Sequence, residues 1–127
     1  MKTLFVLMNH EILPIQYENA QKTLHVNQTI TLSDEKWSQI SPEVDTIQPF
    51  LEHYKEQLHK NAKVGDYLLV QGDFGATYHM IRFARLMGIV PIYATTKREA
   101  TQEIVDGKVI TKREFIHVRF REYEEVI

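Results

Sequence analysis

Short apolar runs alternate along the chain with segments in which apolar residues recur every three or four positions. The runs predict four strands, over residues 3–8, 29–32, 66–71 and 89–94. Because strands that alternate with helices form mostly parallel sheets flanked by those helices, the pattern indicates an α/β fold. A chain of 127 residues has room for one such domain, spanning residues 1–127.

Three helices are predicted between these strands. Pro14 suits the first turn of the first helix, and Ser41-Pro42 marks the start of the second. The apolar face of the second helix consists of Ile47, Phe50, Leu51, Tyr54 and Leu58. The third helix ends at Gly88, and its apolar face consists of Ala76, Met80, Phe83, Ala84 and Met87. Each helix can therefore cover the sheet with one apolar face.

The C-terminal third predicts a β-hairpin, because Asp106-Gly107 lies between two β-prone runs. Simple alternation divides the second arm into two faces, one with Ile116, Val118 and Phe120 and the other with His117, Arg119 and Arg121. We expect the first face to be buried and the second to be cationic. The polar segment 33–44 is predicted to be a mobile loop.

Composition narrows the class of partner. The net charge of -2 and pI near 6.3 lack the basic excess of proteins that coat long nucleic acid, so phosphate recognition would need a local cluster of cations. The chain contains no cysteine, which excludes disulfides and thiolate zinc sites and fits a cytoplasmic protein. The histidines lack metal-ligand spacing and the N-terminal apolar run is too short to span a bilayer. We therefore expect no metal, cofactor or membrane attachment.

The candidate site residues, most of them polar, lie at the carboxyl ends of three predicted strands, where parallel sheets bind ligands. They are Asn9 and His10 after the first strand, Gln71, Gly72, Asp73, Phe74 and Gly75 after the third, and Thr95, Thr96, Lys97 and Arg98 after the fourth. The two glycines suggest free backbone amides at a helix start, which suit a phosphate. We therefore expect a Cβ at Gly72 to block the ligand and leave the fold intact.

Four stretches of the chain together resemble the small ring nucleases of type III CRISPR systems, in the Csx group related to CARF domains. These stretches are residues 1–10, 65–78, 91–99 and 117–123, and the similarity covers nearly the whole chain. The resemblance implies a Rossmann-like, CARF-like homodimer. It also implies an enzyme of antiviral defence that binds cyclic oligoadenylate, with cyclic tetra-adenylate as the expected ring, and opens it to end signalling.

Ring opening of a cyclic RNA needs no metal, because the substrate's own 2′-hydroxyl can attack the adjacent phosphorus and leave a 2′,3′-cyclic phosphate. The candidate catalytic residues are His10 and Asp73 for proton transfer or ribose orientation, and Lys97 for the charge of the transition state. The candidate ligand-binding residues are Asn9, Gln71, Gly72, Phe74, Gly75, Thr95, Thr96 and Arg98.

These assignments have alternatives. Asp73 is equally suited to cap the following helix, Phe74 to pack in the core, and the Lys97-Arg98 pair to lie in solvent. A module of the same fold that sequesters cyclic oligoadenylate without cleaving it would need the same pocket. Another Rossmann-like nucleotide-binding protein is a further possibility, although the chain contains neither the Gly-x-Gly-x-x-Gly fingerprint nor a Walker motif.

Overall fold

The computed structural model describes residues 1–125, which form five strands and three α-helices. The strands are β1 (Lys2–Leu7), β2 (Val26–Thr31), β3 (Tyr67–Val70), β4 (Val90–Val105) and β5 (Lys108–Glu122). The helices are α1 (Pro14–Leu24), α2 (Gln48–Asn61) and α3 (Phe74–Leu86), with a short 3-10 helix at Glu35–Ser38. The predicted alternation of strands and helices is confirmed, as is the hairpin that turns at Asp106-Gly107.

The five strands form one sheet in the order β2-β1-β3-β4-β5. The neighbours among β1 to β4 are parallel, and β5 runs antiparallel to β4. The chain leaves β1 for β2 on one side and returns to β3 on the other, so the connections diverge between β1 and β3. Such a switch point opens a crevice at the carboxyl ends of the two strands.

Helices cover both faces of the sheet. Alternation in β1 directs Phe5 and Leu7 into a core shared with α2 and α3, and Leu4 and Val6 into a second core under α1. β1 is therefore buried on both faces, as is usual for a central parallel strand. The crevice beside β1 consequently has one side facing α1 and another facing α2 and α3.

Two boundaries differ most from the sequence prediction, and β2 also begins earlier, at Val26 rather than at residue 29. α2 begins at Gln48 rather than near Ser41-Pro42. β4 continues to Val105, well beyond the predicted end, because β5 pairs with it from Ile92 onward. The two strands therefore leave the sheet together as a long two-stranded ribbon.

The segment 33–44, predicted to be a mobile loop, is irregular apart from the 3-10 helix at Glu35–Ser38, and a buried tryptophan anchors it. Trp37 is 1% exposed and packs edge-on against Tyr54, with ring centroids 5.4 Å apart. Asp34 accepts hydrogen bonds from the Trp37 backbone N–H at 3.2 Å and from the Tyr54 hydroxyl at 2.6 Å. The hydrogen bond from Tyr54 lowers the pKa of Asp34. Burial is the main cause that raises the pKa of Tyr54, and the hydrogen bond to Asp34 raises it further.

β5 contains a β-bulge at Val118. Thr95 pairs with Arg119 and Thr96 with His117, so Val118 is the extra residue. The Thr95 hydroxyl holds the bulge by donating to the Arg119 carbonyl at 2.9 Å and accepting from the Arg119 N–H at 3.2 Å.

The predicted division of β5 into faces is wrong because of this bulge. His117 and Phe120 are buried together, whereas Val118 is 51% exposed. An extra residue shifts the alternation by one position, which exchanges the two faces beyond it. His117 therefore lies on the α1 side of the sheet with Phe120.

Tyr54→Phe removes the hydroxyl that donates to Asp34, and should lower the free energy of unfolding by ~1 kcal/mol near neutral pH. The pKa of Asp34 is depressed from 3.8 in the folded protein, so the stability from this bond is present above that value. It is lost as the pH falls through the lower folded pKa. The difference in urea midpoint between parent and variant should therefore shrink below about pH 4.

Tyr17→Phe is the matched control, because Tyr17 is an exposed tyrosine. It should leave the midpoint unchanged at every pH. A constant difference between the parent and Tyr54→Phe down to about pH 2 would contradict the coupling to Asp34.

Candidate functional site

A cavity of about 350 Å³ lies on the α1 side of the sheet, at the carboxyl ends of β1 and β3. Its lining comes from the β1–α1 loop, the start of α1, the end of β3 and the base of the β4–β5 ribbon: His10, Leu13, Gln16, Gln71, Ala94, Thr96, Phe115 and His117. We call it the histidine cavity. Of the predicted site residues, the structure brings His10, Gln71 and Thr96 together here.

Gln71 joins β3 to its neighbours at this cavity. Its backbone N–H donates to the Leu7 carbonyl at 2.9 Å, and its side-chain oxygen accepts from the Ala94 N–H at 2.8 Å. Its carbonyl accepts from the Trp37 indole N–H at 3.0 Å. The position of Gln71 is therefore fixed by two strands and by the buried tryptophan.

His117 reaches the cavity because of the bulge in β5. Its Nε2 lies 2.9 Å from Oδ1 of Asn19 on α1, and its ring packs on Phe120 at 4.8 Å between centroids. Burial lowers the pKa of His117, so the ring is neutral near pH 7. Its Nδ1 is buried and has no hydrogen-bond partner among residues 1–125. From the sequence, His117 is predicted on the cationic face of the last strand and not among the candidate site residues, and no local sequence signal marks the bulge.

His10 is an exposed side chain at the edge of the same cavity. Its Nδ1 lies 3.0 Å from the Glu11 carbonyl, which places a proton on Nδ1 and leaves Nε2 as the accepting nitrogen of the neutral ring. His10 also borders a second, more open cavity of about 390 Å³, whose lining includes Glu11, Asp34 and Glu35. His10 therefore lies between the histidine cavity and a cavity whose lining includes three carboxylates.

The first turn of α1 meets the cavity without an acidic cap. Leucine has no side-chain acceptor, so Leu13 at the N-cap cannot bind the first amides, and Pro14 has no N–H. Gln16 is buried, and its side-chain oxygen accepts from the Leu13 N–H at 2.9 Å. Helix geometry leaves the N–H groups of Ile15 and Gln16 without intrahelical acceptors, and the helix dipole favours an anion near them.

The start of α3, where the glycines suggested a phosphate site, is closed by the protein itself. Oδ2 of Asp73 accepts from the Ala76 N–H at 3.0 Å, so a carboxylate already occupies the anion position. A Cβ at Gly72 would lie 2.7 Å from Nε1 of Trp37. The expectation that this Cβ would spare the fold is therefore wrong, because glycine is required there for the close approach of the indole.

Four other predicted residues lie outside the histidine cavity. Asn9 borders a small cavity of about 90 Å³ beside Trp37 and Asp73. Phe74 is 95% exposed in the first turn of α3, next to Gly75. Thr95 uses its hydroxyl in the bulge.

Lys97 and Arg98, which were predicted as a pair, are separated by the alternation of β4. Arg98 lies over the ring of Phe115, 5.2 Å from its centroid, on the cavity side of the ribbon. Lys97 lies on the other side, where its Nζ is 2.9 Å from Oε1 of Glu99. Arg98 therefore adjoins the histidine cavity, and Lys97 does not.

We call the part of the ribbon from Thr96 to His117 the arm. Its two sides differ in net charge. The cavity side presents Arg98, Ala100, Gln102 and Ile104 from β4, and Val109, Thr111, Arg113 and Phe115 from β5. The two charged residues on this cavity side are both arginines. The opposite side presents Lys97, Glu99, Glu103, Lys108, Lys112 and Glu114, whose charges cancel. A protein of net charge -2 thus has a local cationic face beside its cavity.

Within residues 1–125, none of the helices combines the length and the apolar character needed to span a bilayer. In the same part of the chain, histidine and carboxylate side chains do not gather in groups of three that could bind a metal.

A family profile and a relative of known sequence match nearly the whole chain. The profile of the family described as "Uncharacterized protein MJ1673 family" matches residues 2–121. A relative from Methanocaldococcus jannaschii, described as "Uncharacterized protein MJ1673", is 48% identical over 126 residues, covering 97% of this chain and 98% of the relative. No solved structure matches the chain.

Gly72→Ala should lower the free energy of unfolding by ~1–3 kcal/mol, because the added Cβ displaces the Trp37 indole from its hydrogen bond to Gln71. Gly75→Ala is the matched control. Its Cβ would meet the flexible end of Ile47 at 3.2 Å, and alanine favours the helix, so stability should hold or rise slightly. Urea unfolding followed by the fluorescence of Trp37 measures both variants. Equal midpoints for the two variants would contradict the packing role of Gly72.

Proposed function

The chain belongs to the MJ1673 family, and we propose that it is a metal-independent ring nuclease that binds cyclic oligoadenylate in the histidine cavity. The observation that carries the proposal is the meeting of two histidines with an arginine-bearing face at the carboxyl edge of the sheet. The strand order, with its switch point between β1 and β3, supports a Rossmann-like and CARF-related assignment of the fold.

The groups around the cavity suit a nucleotide. Phe115 is 66% exposed and offers a ring for an adenine to stack on. Arg98 and Arg113 offer guanidinium forks for phosphates, and the first turn of α1 offers backbone amides. Thr96 and the side-chain amide of Gln71 add polar groups suited to a ribose or a base edge. A ring of adenosine phosphates presents the complementary groups, namely flat bases and regularly spaced negative charges.

The proposed reaction uses the substrate's own nucleophile. The 2′-oxygen forms a bond to phosphorus while the bond from phosphorus to the 5′-oxygen breaks, which leaves a 2′,3′-cyclic phosphate and a 5′-hydroxyl. One proton must leave the 2′-hydroxyl and one must reach the 5′-oxygen. His10 is suited to one of these transfers, because an imidazole exchanges protons readily near neutral pH. Asp73 and Lys97 have no catalytic part in this proposal, since the first caps α3 and the second lies on the side of the arm opposite the histidine cavity.

We further propose that two copies of the chain act together. The cavity is at the small end of the range for ligand sites, whereas a cyclic tetranucleotide has four nucleotides related by symmetry. The arm exposes apolar residues near its tip: Ile104, Val105, Val109 and Ile110. Because a two-stranded ribbon alone is marginally stable in water, the arm should pair with a second arm. A two-fold homodimer would then present two histidine cavities to one ring.

The function is tested by incubating the purified protein with cyclic oligoadenylates of several ring sizes in the presence of EDTA. We expect linear products that end in 2′,3′-cyclic phosphate. Arg98→Ala should weaken binding by about tenfold or more, since it removes a charge-assisted contact. Lys97→Ala, its neighbour on the opposite side of β4, should bind and cleave like the parent.

The outcomes of this assay separate the alternatives. Tight binding without product would support a module that sequesters the messenger. The absence of both binding and product at every ring size would overturn the proposed function. If Arg98→Ala and Lys97→Ala bound the ring with the same affinity, the arginine-bearing side of the arm would have no specific part in recognition.

The assembly is tested by light scattering at micromolar concentration, where we expect a dimer for the parent. Ile104→Lys places a charge among the apolar residues of the arm tip and should shift the protein toward monomer. Leu86→Lys is the matched control, because Leu86 is at least as exposed as Ile104 but lies at the end of α3. A parent that is monomeric with and without ligand would contradict the dimer, and dissociation by Leu86→Lys alone would move the interface to α3.

A further inference from the structure

His117 is a buried side chain of the cavity lining, and one of its ring nitrogens makes no hydrogen bond within the described residues. It is 8% exposed, and its Nδ1 lacks a hydrogen-bond partner within the described residues. Buried polar atoms are nearly always paired, and those that are not call for an explanation such as a ligand or a catalytic role. The location of His117 in the cavity lining makes a ligand group the natural partner.

The contact with Asn19 determines which nitrogen is available. Nε2 lies 2.9 Å from the amide oxygen of Asn19, so Nε2 carries the proton and Nδ1 bears the lone pair. Asn19 belongs to α1 and His117 to β5, so the docking of the helix on the sheet sets the orientation of the ring. The packing of Phe120 against the ring restricts it further. A fixed tautomer with a free lone pair is the arrangement that a general base requires.

We propose that Nδ1 of His117 accepts the proton of the attacking 2′-hydroxyl and that Asn19 is the positioning residue that fixes the tautomer. This inference rests on the proposed ring-opening function. As the 2′-oxygen bonds to phosphorus, its proton moves to Nδ1. The bond to the 5′-oxygen breaks, and that oxygen takes a proton from the imidazolium of His10 at the edge of the cavity. Two histidines with different burial thus perform the two proton transfers.

Single-turnover cleavage at saturating cyclic tetra-adenylate tests this role, with binding measured separately on the 2′-O-methylated ring. His117→Gln should lower the cleavage rate by about 10²-fold or more and change affinity by less than about threefold. His59→Ala, an exposed histidine on α2, is the control and should leave the rate unchanged. Asn19→Ala should slow cleavage with unchanged KM, and Asn19→Asp, which retains an acceptor for Nε2, should restore the rate.

Nitrogen-15 NMR of the imidazoles in the parent protein tests the inference without relying on folding of a variant. At pH 7 we expect His117 to carry its proton on Nε2. Adding adenosine 3′-monophosphate should shift the Nδ1 resonance, whereas the 2′-deoxy analogue should not. A proton on Nδ1, or cleavage by His117→Gln within about threefold of a parent that does cleave, would overturn the role of His117 alone. A parent that neither binds nor cleaves any ring would instead overturn the proposed function.

Discussion

The bulge that Thr95 holds in β5 decides which side chains meet at the carboxyl edge of the sheet. Side chains on a strand alternate with a period of two, so one extra residue exchanges the faces of everything beyond it. Without Val118 as the extra residue, Ile116 and Glu114 would face the cavity, and His117 would lie on the opposite side. The two hydrogen bonds between Thr95 and Arg119 thus position a catalytic candidate and the cationic face of the arm.

A second constraint acts on the other side of the crevice. The Trp37 indole fills the space beside the end of β3, and it can do so because Gly72 has no Cβ. Asp73 at the same time supplies the anion that the first amides of α3 attract. Protein groups leave a small cavity of about 90 Å³ on that side, and the larger histidine cavity lies toward α1, whose N-cap is a leucine where that of α3 is an aspartate.

Local signals account for what the sequence could predict. Periodicity identified the α/β alternation, Pro14 the start of α1, and Asp106-Gly107 the turn of the hairpin, because each depends on neighbouring residues. The burial of Trp37 depends on a partner 34 positions away, and its polar surroundings conceal it. His10, Gln71 and Thr96 were predicted because strand ends share one edge of the sheet. Gln16, Phe115 and His117 were not, since they reach the cavity through the docking of α1 and the bulge.

Electrostatics distinguishes the two cavities that His10 borders, whose volumes of about 350 and 390 Å³ are similar. One is lined in part by Glu11, Asp34 and Glu35, which repel a polyanion. The other opens beside the arm, where the charged residues of the adjoining face are arginines. A phosphate-bearing ligand that approaches His10 is therefore directed away from the carboxylates and toward the arm. Because His117 lines that cavity, the charge distribution and the position of the buried imidazole favour the same cavity for the proposed chemistry on a phosphodiester.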